Sequence, residues 1–224
     1  MRTLLCAVAV LAFSISALKA EDKPAEAPKA HVKAELPKPD ADGWITLFNG
    51  KDLTGWDGDP KIWSVVDGYI SGKVDKQGFN TFLIFDHPFS DFILEAKWIL
   101  VEEKGNSGIQ YRSKVFDEKK WIVGGYQADI GKGYHGALYE EKGKRGIIFK
   151  SADAAKTVKL ADWNQYVITA KGNTLKQELN GVVSGEFTDA DEAQRKTEGV
   201  IALQYHAPGS FEVRFKDIRI KPLK

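Results

Sequence analysis

The chain has 224 residues, with 32 basic and 31 acidic side chains and a formal net charge of +1 at pH 7. Because the two signs balance and no basic block stands out, the sequence argues against a nucleic-acid partner. The single cysteine, Cys6, excludes a framework of disulfide bonds and a thiolate zinc site within the chain.

Residues 1–20 have the layout of a secretory signal peptide. Arg2 provides the basic start, an apolar run extends from Leu4 to Ile15, and cleavage is predicted after Ala20. The apolar run is too short to span a bilayer. The segment predicts a secreted or periplasmic protein whose mature chain contains no cysteine.

Residues 21–42 differ in composition from the rest of the chain. They are rich in proline, alanine and charges of both signs, and they have no apolar periodicity. Such a segment cannot bury enough surface to offset its ordering entropy, so we expect a disordered linker. The remaining residues, 43–224, are predicted to form one domain, and none of its segments is apolar enough to cross a membrane.

The alternation of apolar and polar residues in this domain is typical of β-strands. In "DFILEAKWIL" (91–100), apolar side chains occupy every second position, with Glu95 and Lys97 between them. The same argument predicts strands in the following stretches, in chain order: "WITLF", "KIWSVVDGYISGK", "GIQYR", "YQADI", "WNQYVITAKG", "TLKQELNGVVSGEF", "GVIALQYH" and "FEVRFKDIRIKPL".

Turn signals complete the prediction of the fold. Asn180-Gly181 is the strongest short-range hairpin signal, because a type I′ turn needs positive φ at both central residues. Only residues 188–199 suggest a helix, and we expect a short helical turn there at most. About a dozen strands without βαβ alternation predict an all-β fold of two packed antiparallel sheets, a jelly-roll β-sandwich.

Two strands carry polar side chains in phase with one another. In "GIQYR" (108–112) the alternation places Gln110 and Arg112 on one face, and in "YQADI" (126–130) it places Gln127 and Asp129 on one face. If the strands are neighbours, these four side chains form one polar patch that could bind an oxygen-rich ligand. The alternative for Arg112 is an ordinary exposed arginine.

Turns and loops next to these strands supply further candidates for substrate binding. Asn106 lies in the tight turn before "GIQYR", and the glycine-rich stretch 131–140 contains His135, Tyr139 and Glu140. We expect this stretch to be a flexible loop beside the patch, with His135 either at the loop tip or acting as a proton carrier. His206 ends a strand before a Pro-Gly turn, where a site residue and a capped surface histidine are both plausible.

Other kinds of site find less support. The sequence has no tight constellation of carboxylates such as sandwich glucanases use, which argues against ordinary glucan hydrolysis. Calcium-loop patterns are weak. We therefore predict no metal site and no cofactor.

Six separated blocks carry a resemblance to a known family. "LFNGKDLTGW", "NSGIQYRS", "GGYQADI" with "GALYE", "WNQYVITAKGN", "LNGVVSGEF", and "GVIALQYH" with "FEVRFKDIRIK" occur in this order over nearly all of residues 43–223. In these blocks the chain resembles the 3-keto-disaccharide hydrolase domain family. The resemblance implies a concanavalin A-like lectin/glucanase sandwich, export from a bacterial cell and a small carbohydrate substrate.

The resemblance also implies a reaction. A ketone at carbon 3 of a sugar acidifies the hydrogen on carbon 2, so a base can remove it, the glycosidic oxygen leaves carbon 1, and water then adds. Asp129 is the expected base or acid and Arg112 the expected stabiliser of the enolate oxygen, while Gln127, Tyr139 and His206 orient the sugar or relay protons.

One position departs from the family pattern. The family often has Glu-x-Gln after Gly-Tyr, whereas this chain has Gln127-x-Asp129, which keeps a carboxylate on the same strand face about 7 Å along it. Two alternatives to the enzyme follow. The first is a non-catalytic carbohydrate-binding module, and the second is a structural or protein-interaction sandwich.

Overall fold

The structure is a computed structural model that describes residues 35–223. The predicted signal peptide at 1–20 and most of the predicted linker at 21–42 lie outside the described residues. Residues 35–42, the described end of that linker, contain no helix or strand. Leu36 nevertheless packs against the hydrophobic core, and the Asp40 carboxylate accepts hydrogen bonds from the backbone N–H groups of Asp42 and Trp44 at 3.0 and 2.9 Å.

The described residues form fifteen strands, one 3-10 turn (Val101–Glu103) and one short helix, α1 (Ala152–Lys156). The strands are β1 (Ile45–Thr46), β2 (Trp56–Asp57), β3 (Trp63–Val66), β4 (Tyr69–Gln77), β5 (Thr81–Phe89), β6 (Phe92–Leu100), β7 (Asn106–Asp117), β8 (Ile122–Gly131), β9 (Leu138–Glu141), β10 (Gly146–Phe149), β11 (Asn164–Lys171), β12 (Thr174–Leu179), β13 (Val182–Thr188), β14 (Gly199–Tyr205) and β15 (Gly209–Pro222).

The strands form two antiparallel sheets. Sheet A has eight strands in the order β13-β12-β11-β6-β15-β4-β3, with β1 pairing with β15. Sheet B has seven strands in the order β10-β9-β8-β7-β14-β5-β2. The predicted all-β, two-sheet antiparallel sandwich is confirmed.

The main hydrophobic core lies between the sheets because one face of each is apolar. Alternate residues of β6, including Leu94 and Trp98, are buried, and the residues between them are half-buried. From sheet B, Ile109 and Ala128 pack into the same cluster of buried side chains. Burial of each large apolar side chain contributes about 1.5–3 kcal/mol, so this core provides most of the driving force for folding.

The predicted hairpin at Asn180-Gly181 is confirmed. These residues have φ values of 50° and 80°, and they join β12 to β13. Asp67 and Gly68, with φ values of 44° and 80°, make the equivalent connection between β3 and β4. Positive φ at both central positions gives the backbone twist that two-residue hairpins need, which is why both turns end in glycine.

Several elements differ from the sequence predictions. The glycine-rich stretch is not a loop throughout, because Leu138–Glu141 pairs with β8 as strand β9. Strands β2, β5 and β10 and the helix α1 were not predicted from the sequence. At 188–199 the chain forms turns without a helix, in line with the short turn expected there.

The predicted placement of Arg112 is wrong. A bulge interrupts the pairing of β7 with β8 after Tyr111, and Arg112 has a φ of +46°, so strand alternation does not hold there. Its side chain is 1% exposed and donates hydrogen bonds to the Ser90 carbonyl (2.7 Å), the Gly172 carbonyl (2.8 Å) and the Asp91 carboxylate (2.9 Å). Arg112 thus links two turns at the end of the sandwich, and it is not part of the polar patch.

We predict that Arg112→Ala destabilises the fold by about 3 kcal/mol, because it removes a buried, fully hydrogen-bonded side chain and its ion pair with Asp91. Urea denaturation measures the loss, with Lys114→Ala as the control. Lys114 is an exposed cation on the same strand, and its removal is expected to change stability by less than about 0.5 kcal/mol. Equal midpoints for the two variants would contradict this structural role of Arg112.

Candidate functional site

Four buried polar side chains lie together on the outer face of sheet B. They are Gln110 from β7, Gln127 and Asp129 from β8, and Gln204 from β14, all at most 3% exposed, and we call them the floor. The register pairs Gln110 with Gln127 and Gln110 with Ala202, so neighbouring strands place these residues side by side. The prediction that Gln110, Gln127 and Asp129 share one face is confirmed.

A directional chain of hydrogen bonds connects the floor. The Ser113 hydroxyl donates to the Gln110 side-chain carbonyl (2.6 Å), and the Gln110 amide donates to the Gln127 carbonyl (2.7 Å). The Gln127 amide then donates to Asp129 Oδ1 (3.2 Å) and to Gln204 Oε1 (3.4 Å). Of the three floor amides, only that of Gln127 points its nitrogen toward Asp129, and an Asp129 carboxyl oxygen accepts the bond.

Asp129 is the buried ionisable group of the floor. Burial raises the pKa of Asp129 from 3.8 to about 7, although hydrogen bonds from Gln127 and Asn106 oppose this effect. Its backbone is held from both sides. The Tyr166 hydroxyl, which reaches across the core from sheet A, donates to the Asp129 carbonyl (2.5 Å), and the Asp129 N–H donates to the Ala137 carbonyl (3.0 Å).

Two glycines leave the space that the floor needs. A Cβ atom at Gly108 would lie 2.4 Å from the Gln127 side-chain carbon, so the Gln127 side chain lies across this glycine. A Cβ atom at Gly125 would lie 2.4 Å from the Ser113 hydroxyl, which starts the hydrogen-bond chain. Any larger residue at either position would displace a member of the chain.

Five half-buried side chains surround the floor, and we call them the rim. They are Asn80, Asn106, Tyr139, Glu141 and His206. Tyr139 is the strand partner of Gln127, the Asn106 side chain hydrogen-bonds Asp129, and the His206 N–H donates to the Asn106 carbonyl (3.3 Å). The structure thus brings three residues predicted from the sequence, Asn106, Tyr139 and His206, next to the floor.

Electrostatics connect the rim to the floor. Burial raises the pKa of Tyr139, and the charges of Glu141 and Asp129 raise it further. Burial lowers the pKa of His206, and the charge of Glu141 opposes this effect. The site therefore holds two carboxyl groups, one imidazole and one phenol within electrostatic range, all positioned among amide donors.

His135 does not lie at this site. Its ring is 5% exposed and stacks on Trp98, with ring centroids 5.4 Å apart and an interplanar angle of 14°. His135 Nδ1 accepts a hydrogen bond from the Gly131 N–H (3.2 Å). Both sequence-based alternatives, a loop-tip residue and a proton carrier for the patch, are wrong because the turn after β8 directs the ring into the interior.

Glu140 also faces away from the site. Leu138 and Glu140 point inward along β9 while Tyr139 and Glu141 point outward, so the predicted placement of Glu140 beside the patch is wrong. Glu140 forms ion pairs with Arg145 (2.9 Å) and Lys196. Burial by itself would raise the pKa of Glu140, but the hydrogen bonds from Arg145 and Lys196 outweigh it and lower the pKa to about 2.

Sequence reasoning missed three members of the site: Gln204, Glu141 and Asn80. The first two follow from alternation, because "ALQY" places Gln204 opposite the core residues Leu203 and Tyr205, and "LYEE" places Glu141 beside Tyr139. Asn80 had no local signal, since it precedes β5 and reaches the rim only through the pairing of β5 with β14.

The floor adjoins a small apolar cluster on the same sheet face. This cluster contains Phe82, Ile84, Val123, Val200 and Ala202, with Trp121 packed against it. The Thr81 hydroxyl donates to the Lys120 carbonyl (2.9 Å), which fixes the end of the β7–β8 hairpin above β5. The outer face of sheet B is thus divided into a polar half and an apolar half.

A second depression lies on the outer face of sheet A. It has a volume of about 420 Å³, and its charged side chains pair with one another, Lys97 with Asp217 (2.8 Å) and Arg219 with Glu95 (2.7 Å). It contains none of the floor or rim residues, and we do not assign the functional site to it on the basis of its volume. Within residues 35–223, no group of three or more His, Cys, Asp or Glu side chains is arranged to hold a metal ion.

In the described part of the chain, no helix is long and apolar enough to cross a bilayer.

Similarity to known proteins assigns this antiparallel sandwich to the carbohydrate-active, hydrolase-like domains. The chain belongs to the 3-keto-alpha-glucoside-1,2-lyase-like domain family, whose model matches residues 43–221. The chain is also 40% identical over 90 residues to the 3-keto-disaccharide hydrolase of Bacteroides thetaiotaomicron. That alignment covers 36% of this chain and 31% of the relative, so it spans less than a third of the relative's length.

Solved structures share the fold. A candidate glycosyl hydrolase from Parabacteroides distasonis is similar with a TM-score of 0.61 and 25% identity, over 82% of this chain and 95% of the other. A carbohydrate-binding module, CBM66 from Bacillus subtilis, is similar with a TM-score of 0.55 and 17% identity, over 74% of this chain and 94% of the other. At 17% identity the likeness to the module shows the fold alone.

The raised pKa of Asp129 predicts a pH dependence of stability. The folded state favours the neutral carboxyl of Asp129. The contribution of this carboxyl to the free energy of unfolding is therefore fully present below pH 4, decreases as the pH rises toward 7, and is lost above that value. Asp129→Asn removes this dependence, and the free energy of unfolding of the variant relative to wild type is expected to rise by about 4 kcal/mol between pH 4 and 8. Urea denaturation across this range measures it.

The control for this prediction is Asp217→Asn, which changes an exposed aspartate on sheet A. Its stability relative to wild type is expected to stay constant over the same range within about 0.5 kcal/mol. If the free energy of unfolding of Asp129→Asn relative to wild type also stays constant over this pH range, Asp129 does not have a raised pKa.

Proposed function

We propose that this protein cleaves 3-keto-glycosides, with the floor and rim of sheet B as its active site. The proposal rests on one observation above all. In a domain of the 3-keto-alpha-glucoside-1,2-lyase-like family, Asp129 is a buried carboxyl with a pKa of about 7, and amide donors lie on several sides of it. A group with this pKa is both a competent acid and a competent base at neutral pH.

The chemistry of the substrate explains why such a site suffices. The ketone at carbon 3 makes the hydrogen on carbon 2 acidic, and removal of that proton gives an enolate. Expulsion of the glycosidic oxygen from carbon 1 then forms an enone, and addition of water completes hydrolysis. This path needs proton transfer and stabilisation of an enolate oxygen, and it does not need a carboxylate pair that supports an oxocarbenium ion.

Because the Arg112 side chain is hydrogen-bonded within the fold, the groups that stabilise the enolate oxygen are uncharged donors. The Asn106 amide hydrogen-bonds Asp129, and the charge of Asp129 raises the pKa of the nearby Tyr139 hydroxyl. Donors held in a partly buried site interact strongly with a developing negative charge, and the loss of one such donor commonly costs about 100- to 1000-fold in rate. Gln127 holds Asp129 in place rather than contacting the reacting atoms.

The purified protein is expected to release the free sugar from a methyl 3-keto-glucoside and to leave the parent methyl glucoside intact. Asp129→Asn is expected to lower kcat by at least about 100-fold, because it removes a carboxyl group that transfers a proton in the reaction. Product release is followed by NMR, and circular dichroism checks folding. Asp217→Asn, on the other sheet, is the matched control and is expected to keep wild-type activity.

The same experiment tests the carbohydrate-binding alternative. Calorimetry that detects binding of the 3-keto-glycoside, together with no product after prolonged incubation, would support a binding module and overturn the enzyme. Full activity in Asp129→Asn would overturn the role of Asp129.

We also propose that the protein acts outside the cytoplasm. The supporting observation is the layout of residues 1–20, with its basic start and short apolar run. Expression of the full chain in a bacterial host is expected to give mature protein that begins at Glu21 and fractionates with the periplasm or the medium. Mass spectrometry measures the N-terminus, and an intact Met1 on the folded protein would contradict export by this signal.

A further inference from the structure

Glu141 is the second carboxylate that faces the floor. It lies on β9, in register with Gly125 of β8, and it points to the same side as Tyr139. Glu141 is half-buried, unlike the fully buried Glu140 that precedes it. Its position therefore combines access to a ligand with proximity to Asp129.

The carboxylate of Glu141 extends across the site. Its Oε1 accepts a hydrogen bond from the Asn80 amide (3.3 Å), and its Oε2 accepts one from the Gln204 amide (3.4 Å). Gln204 belongs to β14, and both β8 and β7 lie between β9 and β14 in the sheet. With neighbouring strands about 4.8 Å apart, the side chain must reach over the floor to make these contacts.

Both contacts are longer than the usual 2.9–3.0 Å for an N–H···O hydrogen bond, so they hold the carboxylate weakly. Hydroxyl groups of a sugar can replace them when a ligand enters. Glu141 is also the residue whose charge acts on all three other titratable groups of the site, because it raises the pKa of Asp129 and Tyr139 and opposes the lowered pKa of His206.

We propose that Glu141 is the catalytic base that removes the proton from carbon 2, while Asp129 serves as the acid that protonates the leaving oxygen. This division of roles rests on the proposed function. A partly exposed carboxylate held loosely above the floor can approach carbon 2 of a bound ring, and a buried neutral carboxyl below it can donate a proton. Two carboxyl groups in different environments commonly divide acid and base roles in this way.

The steps balance over the cycle. Glu141 takes the proton of carbon 2, the electron pair forms the double bond between carbons 1 and 2, and the bond from carbon 1 to the glycosidic oxygen breaks. Asp129 gives its proton to that oxygen, which leaves as an alcohol. Water then adds to carbon 1 and returns a proton to Asp129, and Glu141 returns its proton to carbon 2.

The two roles are separable by experiment. In D2O, Asp129→Asn is expected to exchange the carbon 2 hydrogen of methyl 3-keto-glucoside for deuterium without cleaving the glycoside, because deprotonation does not need the acid. The double variant Asp129→Asn/Glu141→Gln is expected to lose this exchange by at least about 100-fold. NMR measures both, with enzyme-free solution as the background and Glu186→Gln, an exposed glutamate on β13, as the control.

A second substrate strengthens the test. A 4-nitrophenyl 3-keto-glucoside has a leaving group that needs little protonation, so Asp129→Asn is expected to cleave it within about 10-fold of the wild-type rate. Glu141→Gln is expected to lose at least about 100-fold on both substrates. Unchanged exchange or cleavage in Glu141→Gln, with active wild-type protein, would overturn the role of Glu141 alone. Wild-type protein that neither exchanges nor cleaves would overturn the proposed function and this inference together.

Discussion

The site depends on one constraint, which is that a carboxyl group and three amides share a buried sheet face. The Gln127 amide nitrogen donates a hydrogen bond to an Asp129 carboxyl oxygen and so points toward it. The Gln127 carbonyl then faces Gln110, and the Gln110 carbonyl faces the Ser113 hydroxyl. Each orientation follows from the one before it, so the position of a single carboxyl group sets the arrangement of the floor.

The fold provides the energy that keeps this charge buried. A carboxyl whose pKa is about 7 destabilises the folded state whenever it ionises, and the core between the sheets must offset that cost. Tyr166 of sheet A contributes directly, because its hydroxyl accepts from the Gly136 N–H (2.8 Å) and donates to the Asp129 carbonyl. One side chain from the opposite sheet thus fixes both the strand that carries Asp129 and the turn that follows it.

Sequence reasoning succeeded where strands are regular. Alternation placed Gln110, Gln127 and Asp129 on one face because β7 and β8 pair without interruption over those residues. It failed at Arg112, where a bulge with positive φ turns the side chain toward the end of the sandwich. No pattern in the local sequence predicts that bulge. It also failed at His135, because the direction of a side chain in a turn depends on tertiary packing against Trp98.

The directions of the Glu140 and Glu141 side chains follow only once their segment is identified as a strand. In a loop, the two adjacent acids are indistinguishable, and only Glu140 was predicted to lie at the site. Once Leu138–Glu141 is a strand beside β8, the inward direction of Leu138 fixes Glu140 inward and Glu141 outward. The inward acid then requires cations, which Arg145 and Lys196 supply, and the outward acid is left for the site.

The same reasoning bears on the order of amide and acid at positions 127 and 129. Both residues lie on one strand face, so either order would place one carboxyl group and one amide in the hydrogen-bond chain. Here the carboxylate lies beside Asn106, and the amide lies between Gln110 and Gln204. Glu141, which reaches over the floor from β9, accepts a hydrogen bond from Gln204, the same residue that accepts one from the amide of Gln127, so the floor is next to a second carboxylate.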